Sequence, residues 1–190
     1  MRRFLQIAFT PTVTDRQERA GSHRAYSALA AGPGTADPLD AAARDFIEER
    51  DSFYAATVGE TGWPYIQHRG GPPGFVHVLD ESTIAFADVR GNRQYVTAGN
   101  LAHDGRIALF FMDYARRRRL KLLGTATVLD GAAHPELAAR LDGRRTPGRV
   151  EHLVVIDVQG YDWNCPQHIT PRFGVDDMER AGLRVADVAD

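Results

Sequence analysis

Apolar and polar positions alternate over short stretches of this chain, and glycine, proline and aspartate separate the stretches. FYAATV (53–58), YIQHR (65–69), FVHVL (75–79) and TIAFA (83–87) follow one another closely, the pattern of antiparallel hairpins. RIALFFMD (106–113), RLKLLGTATVL (119–129) and HLVVIDV (152–158) continue it. Six or seven such strands with few long helices predict a mainly β fold, a closed barrel that leaves no exposed edge. In the long strand, alternation puts Arg117, Arg119 and Lys121 on one face and Arg118, Leu120 and Leu122 on the other.

A different period marks the flanks. Asp15 to Ala31 reads as a polar, alanine-rich helix stopped by Gly32-Pro33-Gly34. Asp37-Pro38 supplies an N-cap and a favourable first position for a second helix, whose Leu39, Ala42, Ala43, Phe46 and Ile47 form one apolar stripe. Helices are also expected over Asn92 to Ala102, PELAARL (135–141) and GVDDMERAGL (174–183). The organisation expected is a helical extension (1–36), a barrel domain (37–173) and a terminal helix and tail (174–190).

Composition narrows the possible roles. A chain of 190 residues suits one domain with embellishments. With 23 Lys+Arg against 25 Asp+Glu, no global field gathers nucleic acid or an acidic membrane, so an anion site must be local. The single cysteine, Cys165, excludes an internal disulfide framework, and a cytoplasmic location is expected. MRRFLQIAFTPTVT is interrupted by Gln6 and Thr10-Pro11, which argues against a secretory signal, and no run approaches a membrane span.

Four segments hold candidate chemistry. In QHRGGPPGF, polar strand residues lead into glycines where backbone could approach a flat ligand, although a wide solvated hairpin reads the same way. In DVRGNRQYVTAGNLA, Asn92 is a candidate N-cap and Arg93 a first-turn arginine, an arrangement suited to phosphate. Arg116 to Arg119 enter the long strand and could face a ligand. YDWNCPQHITPRF is too polar for core and too aromatic for a linker, so it is expected to line a site or interface; its Cys165 reads as a small buried hydrophobe rather than a nucleophile. Arg144 to Arg149 reads as a solvated basic loop. Scattered histidines give no metal motif, and no GxGxxG or Walker loop is present.

Taken in order, WPYIQHRGGPPGFV, IAFADVRGNRQYVTAGNLAHDGRIALFFMDY, RRRRLKLLGTATV and YDWNCPQHITPRF resemble proteins related to pyridoxamine 5'-phosphate oxidase, more narrowly an FMN-binding bacterial branch. The resemblance runs from about Phe46 to Phe173. It implies a split β-barrel homodimer with two FMN sites at the subunit interface, each built by both chains. Gln67, His68, Arg69 and Gly70 match a strand beside the flavin ring and ribityl chain, and Asn92, Arg93 and Gln94 match a phosphate-gripping turn. Arg119, with Lys121 beside it, matches a position that reaches the flavin; Gln167, His168 and Arg172 would come from the partner and close over the ring. His68 and His168 are candidates for tuning the flavin's potential.

The family's Arg-x-x-x-x-Lys strand is replaced here by QHRGGP, which argues against oxidation of vitamin B6. The resemblance thus implies an FMN-dependent oxidoreductase acting on an unidentified small molecule, with NADH or NADPH as the candidate electron donor. A flavin-binding or stress-related protein without turnover is the alternative, as is a deazaflavin- or haem-using relative on the same fold.

Overall fold

A computed structural model describes residues 2–142, 148–180 and 182. Three short helices open it: α1 (Arg2–Ala8), α2 (Pro11–Arg19) and α3 (His23–Ala30). Then come α4 (Ala41–Glu48), β1 (Ser52–Val58), β2 (Pro64–Gly70), β3 (Val76–Val78), β4 (Thr83–Val89), α5 (Val96–His103), β5 (Arg106–Asp113), β6 (Arg118–Asp130), α6 (Pro135–Asp142), β7 (Val150–Trp163) and α7 (Val175–Arg180). All seven strands form one antiparallel sheet in the order β2-β1-β5-β6-β7-β4-β3.

The sheet curls strongly. Four strand steps separate β1 from β4 in that order, roughly 19 Å on a flat sheet. Yet Phe53 of β1 meets Phe86 of β4 edge to face at 5.3 Å between ring centres, and stacks on Phe75 at 5.7 Å. The inward positions of β1, β4, β5, β6 and β7 therefore share one core, which Phe46 and Ile47 of α4 also enter. Gly124 permits the bend in β6: it sits at a register shift against β7, and a Cβ there would run into Asp157 O at 2.8 Å.

Full closure, expected from the strand count, does not occur. β2 and β3 are the two edges of the sheet. Gly71 to Phe75 joins them, and its Pro72 and Pro73 have no N–H to give to a ladder; β3 itself is only three residues long. The result is a split barrel. Arg69 of β2 spans the split to pair with Asp88 of β4.

Three helix expectations are corrected. The helix expected from Asp15 to Ala31 is two helices, broken where Gly21 adopts a φ of 73°. The second helix starts at Ala41, with Asp40 accepting from the Ala43 amide at 2.7 Å. Asp37, expected as its cap, instead accepts from the Arg3 and Phe4 amides and so holds the first turn of α1. That helix lies on β7 at Gly160, where a Cβ would collide with the Phe4 backbone. Cys165 is exposed rather than buried, because the chain has left the sheet after Trp163.

The terminal helix is described over Val175–Arg180. Of the expected 174–190 segment, residues 181 and 183–190 lie outside the described residues, as does most of the basic loop (143–147). Among the described residues no helix is long and apolar enough to cross a membrane.

Candidate functional site

Strand alternation makes the first cavity. β2 turns Tyr65, Gln67 and Arg69 to one face and Ile66 and His68 to the other. The first set meets the end of β4, the turn from Gly91 to Tyr95 and the start of α5 around a cavity of about 240 Å³. Tyr65 donates to Gln67 Oε1 at 2.6 Å, which fixes the amide. Arg69 gives Nη1 to Asp88, while its Nε is buried with no hydrogen-bond acceptor. Such a donor is costly unless something that can accept occupies the space.

The turn is strained. Arg93 and Tyr95 have φ of 62° and 53°, left-handed values that side chains usually avoid. Asn92, expected to cap the helix, instead accepts from the Gln94 amide at 3.1 Å and closes a local turn. α5 therefore begins later than expected, after Tyr95, and no side chain caps it. Its first residues, Val96, Thr97 and Ala98, line the cavity, so a helix amino terminus with uncapped amides faces the space.

Glu151 of β7 closes the far side. It accepts from the Tyr95 hydroxyl at 3.1 Å and pairs with Arg90 at 3.3 Å. Arg93 Nε in turn donates to the Tyr95 oxygen at 3.4 Å. The Tyr95 hydrogen bond holds the Arg93 guanidinium above its ordinary value, so it stays charged. Both acids at the cavity already face arginines, which leaves Arg93, the helix terminus and the orphaned Arg69 Nε as its positive features.

A second cavity, of about 210 Å³, opens on the other face of the sheet. Phe110 and Met112 of β5 and Arg119 of β6 line it, together with Tyr114, His168, Thr170 and Arg172. The Arg172 guanidinium lies 5.1 Å from the Tyr114 ring centre. Burial and the neighbouring Tyr54 push the Tyr114 phenol above its ordinary value, and Arg172 opposes them. His168 is held at a φ of 62° between exposed Gln167 and buried Ile169. Arg119 Nε, like that of Arg69, is buried without an acceptor.

Five of the residues singled out in the sequence thus converge on the first cavity: Gln67, Arg69, Asn92, Arg93 and Gln94. Arg119, His168 and Arg172 gather at the second. Four line neither. His68 packs edge to face on Tyr54 at 5.6 Å, and Gly70 lies against the His68 ring. Lys121 pairs with Asp162 at 2.8 Å under the Phe4 ring, and Gln167 is exposed. Sequence reasoning missed Tyr65, Tyr95 and Glu151. Alternation with Gln67 could have found Tyr65, but Glu151 carries no local signal, being 56 residues from its partner Tyr95.

A family model described as pyridoxamine 5'-phosphate oxidase matches residues 39–160. No curated protein matches the chain. Among solved structures, HupZ of Group A Streptococcus is similar with a TM-score of 0.55 and 19% identity, covering 71% of this chain and 100% of that one. A protein of unknown function from Agrobacterium tumefaciens has a TM-score of 0.50 and 21% identity, covering 74% of this chain and 64% of that one. At these identities the likeness to both structures is one of fold.

Proposed function

Because the chain belongs to the pyridoxamine 5'-phosphate oxidase family, we propose that it is an FMN-binding oxidoreductase acting on a small molecule, with a nicotinamide nucleotide as electron donor. The observation that carries this reading is the first cavity, where a strained turn, an uncapped helix terminus and an orphaned arginine Nε converge. Those groups fit a phosphate monoester and the acceptor-rich chain attached to it. Arg93 and the α5 amides would hold the phosphate, and Gln67 and Arg69 would hydrogen-bond the polar part next to it. Bound there, FMN would supply hydride or single-electron chemistry, leaving binding, orientation and exclusion of water to the protein.

We further propose that the working unit is a homodimer. A volume of about 240 Å³ falls short of the roughly 300–1,000 Å³ typical of sites that enclose a whole ligand. A second copy would supply the missing wall. Support comes from the outer face of β2, β1 and β5, where Ile66, Tyr54 and Val58 stand exposed next to Phe110 and Met112. The cluster of Arg119, His168 and Arg172 opens on that same face, in position to be offered to a partner's cavity.

Flavin fluorescence titration of the apo protein tests the assignment. FMN should bind at micromolar concentration or below, and Arg93→Ala should weaken it about tenfold, the loss of roughly 1.4 kcal/mol expected of one charge-assisted contact. Riboflavin, which lacks the phosphate, should bind both proteins alike. Absence of FMN binding at micromolar levels would overturn the reading, as would an Arg93→Ala variant that binds FMN unchanged.

A further inference from the structure

The three opening helices frame a third cavity, of about 290 Å³. Gln6 of α1 and Phe9 just after it, Thr14 and Gln17 of α2, and His23 and Ser27 of α3 line it. All of them precede residue 39, where the family match begins, so the family's own site does not account for the space. Its polar atoms are not all satisfied. Gln6 gives Nε2 to Ala30 O at 2.9 Å and to Gly32 O at 3.2 Å, which fixes the orientation of the amide and leaves Oε1 buried with no donor. His23 Nδ1 is likewise buried without a partner. Such groups cost free energy unless a bound molecule meets them.

We propose that this cavity binds an uncharged planar lactam, the chemistry of an oxopyrimidine or oxopurine base. Among the described residues no acid, lysine or arginine lines it, so an ion would enter without a counter-charge. Gln6 Oε1 can only accept, and it calls for an N–H. His23 Nδ1 donates or accepts according to its tautomer, and a lactam, with C=O beside N–H, answers either form. The Phe9 ring, braced edge to face by Tyr26 at 5.6 Å between ring centres, adds a flat apolar wall. A polyol matches the hydrogen bonds but has no flat face to lay on that ring. The volume stands near the lower end of the roughly 300–1,000 Å³ of small-molecule sites, a size for a single base rather than a whole nucleotide. The site stands apart from the flavin assignment and does not depend on it.

Calorimetric titration of the full chain with uracil and with hypoxanthine tests the proposal. At least one should bind at about 1 mM or below, the affinity range of so small a ligand, and the tighter of the two tells a pyrimidine site from a purine site. The N-methylated 1,3-dimethyluracil and caffeine, which have no N–H for Gln6, should bind at least fivefold more weakly than that base. His23→Phe keeps a flat ring but removes the nitrogen, and Ser27→Trp fills the cavity from an exposed position on α3. Each should weaken the tighter base fivefold or more, while circular dichroism and the thermal midpoint stay those of wild type. Failure of both bases to bind wild type at about 5 mM would overturn the proposal and leave water as the occupant. N-methylated rings that bind as tightly, or unchanged affinity in either variant, would overturn it as well. So would displacement of the base by FMN, which would place it in the first cavity.

Discussion

At the scale of single residues, Asp113 is a buried charge held from several sides. It is 5% exposed, pairs with Arg50 at 3.1 Å, and accepts from the Arg116 amide at 2.8 Å. Burial works to raise its carboxyl, but the Arg116 contacts and the Arg50 charge outweigh it and hold the group below its ordinary value. A depressed carboxyl contributes stability above its unfolded value and loses that contribution as pH falls through the folded one. Asp113→Asn should therefore cost about 3 kcal/mol near neutral pH, the typical penalty for stranding one member of a buried pair. Urea unfolding of the two proteins should converge in acid. The turn nearby predicts the opposite sign: Arg117 is exposed with a φ of 53°. Arg117→Gly should gain about 0.5 kcal/mol, since relief of left-handed strain exceeds glycine's extra unfolded entropy. Residues on the candidate site divide in the same local manner. Gln67, Arg69 and Arg93 were legible because their segments hold polar groups beside glycine. Tyr95 and Glu151 were not, because their significance arises from a contact between a turn and a distant strand.

Among the elements, strands read better than helix starts. β5 has the bounds its alternation predicts, since every second side chain is buried. β7 runs five residues past HLVVIDV because backbone pairing with β6 continues through Gly160 to Trp163, where side-chain pattern no longer reports the strand. Helix caps misled for a physical reason: several Asx residues compete for each start, and tertiary contacts decide among them. Asp40 caps α4 while Asp37 serves α1, and Asn92 closes a turn four residues before α5. The docking of α1 depends on close approach at Gly160 and on burial of Phe4 and Leu5. Gly160→Val should lift α1 from β7, exposing side chains whose burial contributes roughly 1.5–3 kcal/mol each. Limited proteolysis should then cut the first thirty or so residues early while the barrel stays resistant.

For the molecule as a whole, strand count alone made a mainly β fold legible but suggested closure, and only the family resemblance carried the split, because closure depends on whether two edge strands can pair, and no count of strands reveals that. The apolar outer face makes an assembly prediction. Ile66→Asp, at a position 65% exposed, should leave the protomer folded yet shift the proposed dimer to monomer in light scattering, and flavin affinity should fall with it. A further consequence follows from the sheet order. β6 and β7, of 13 and 14 residues, have neighbours on both sides, so their amides should exchange with deuterated solvent last; β2 is paired on one side alone and should exchange early. Gln67 and Arg69 thus ride on the margin that the scaffold grips least. A molecule seated against them would slow deuterium uptake along that margin, so occupancy would be readable in the backbone even for a colourless occupant.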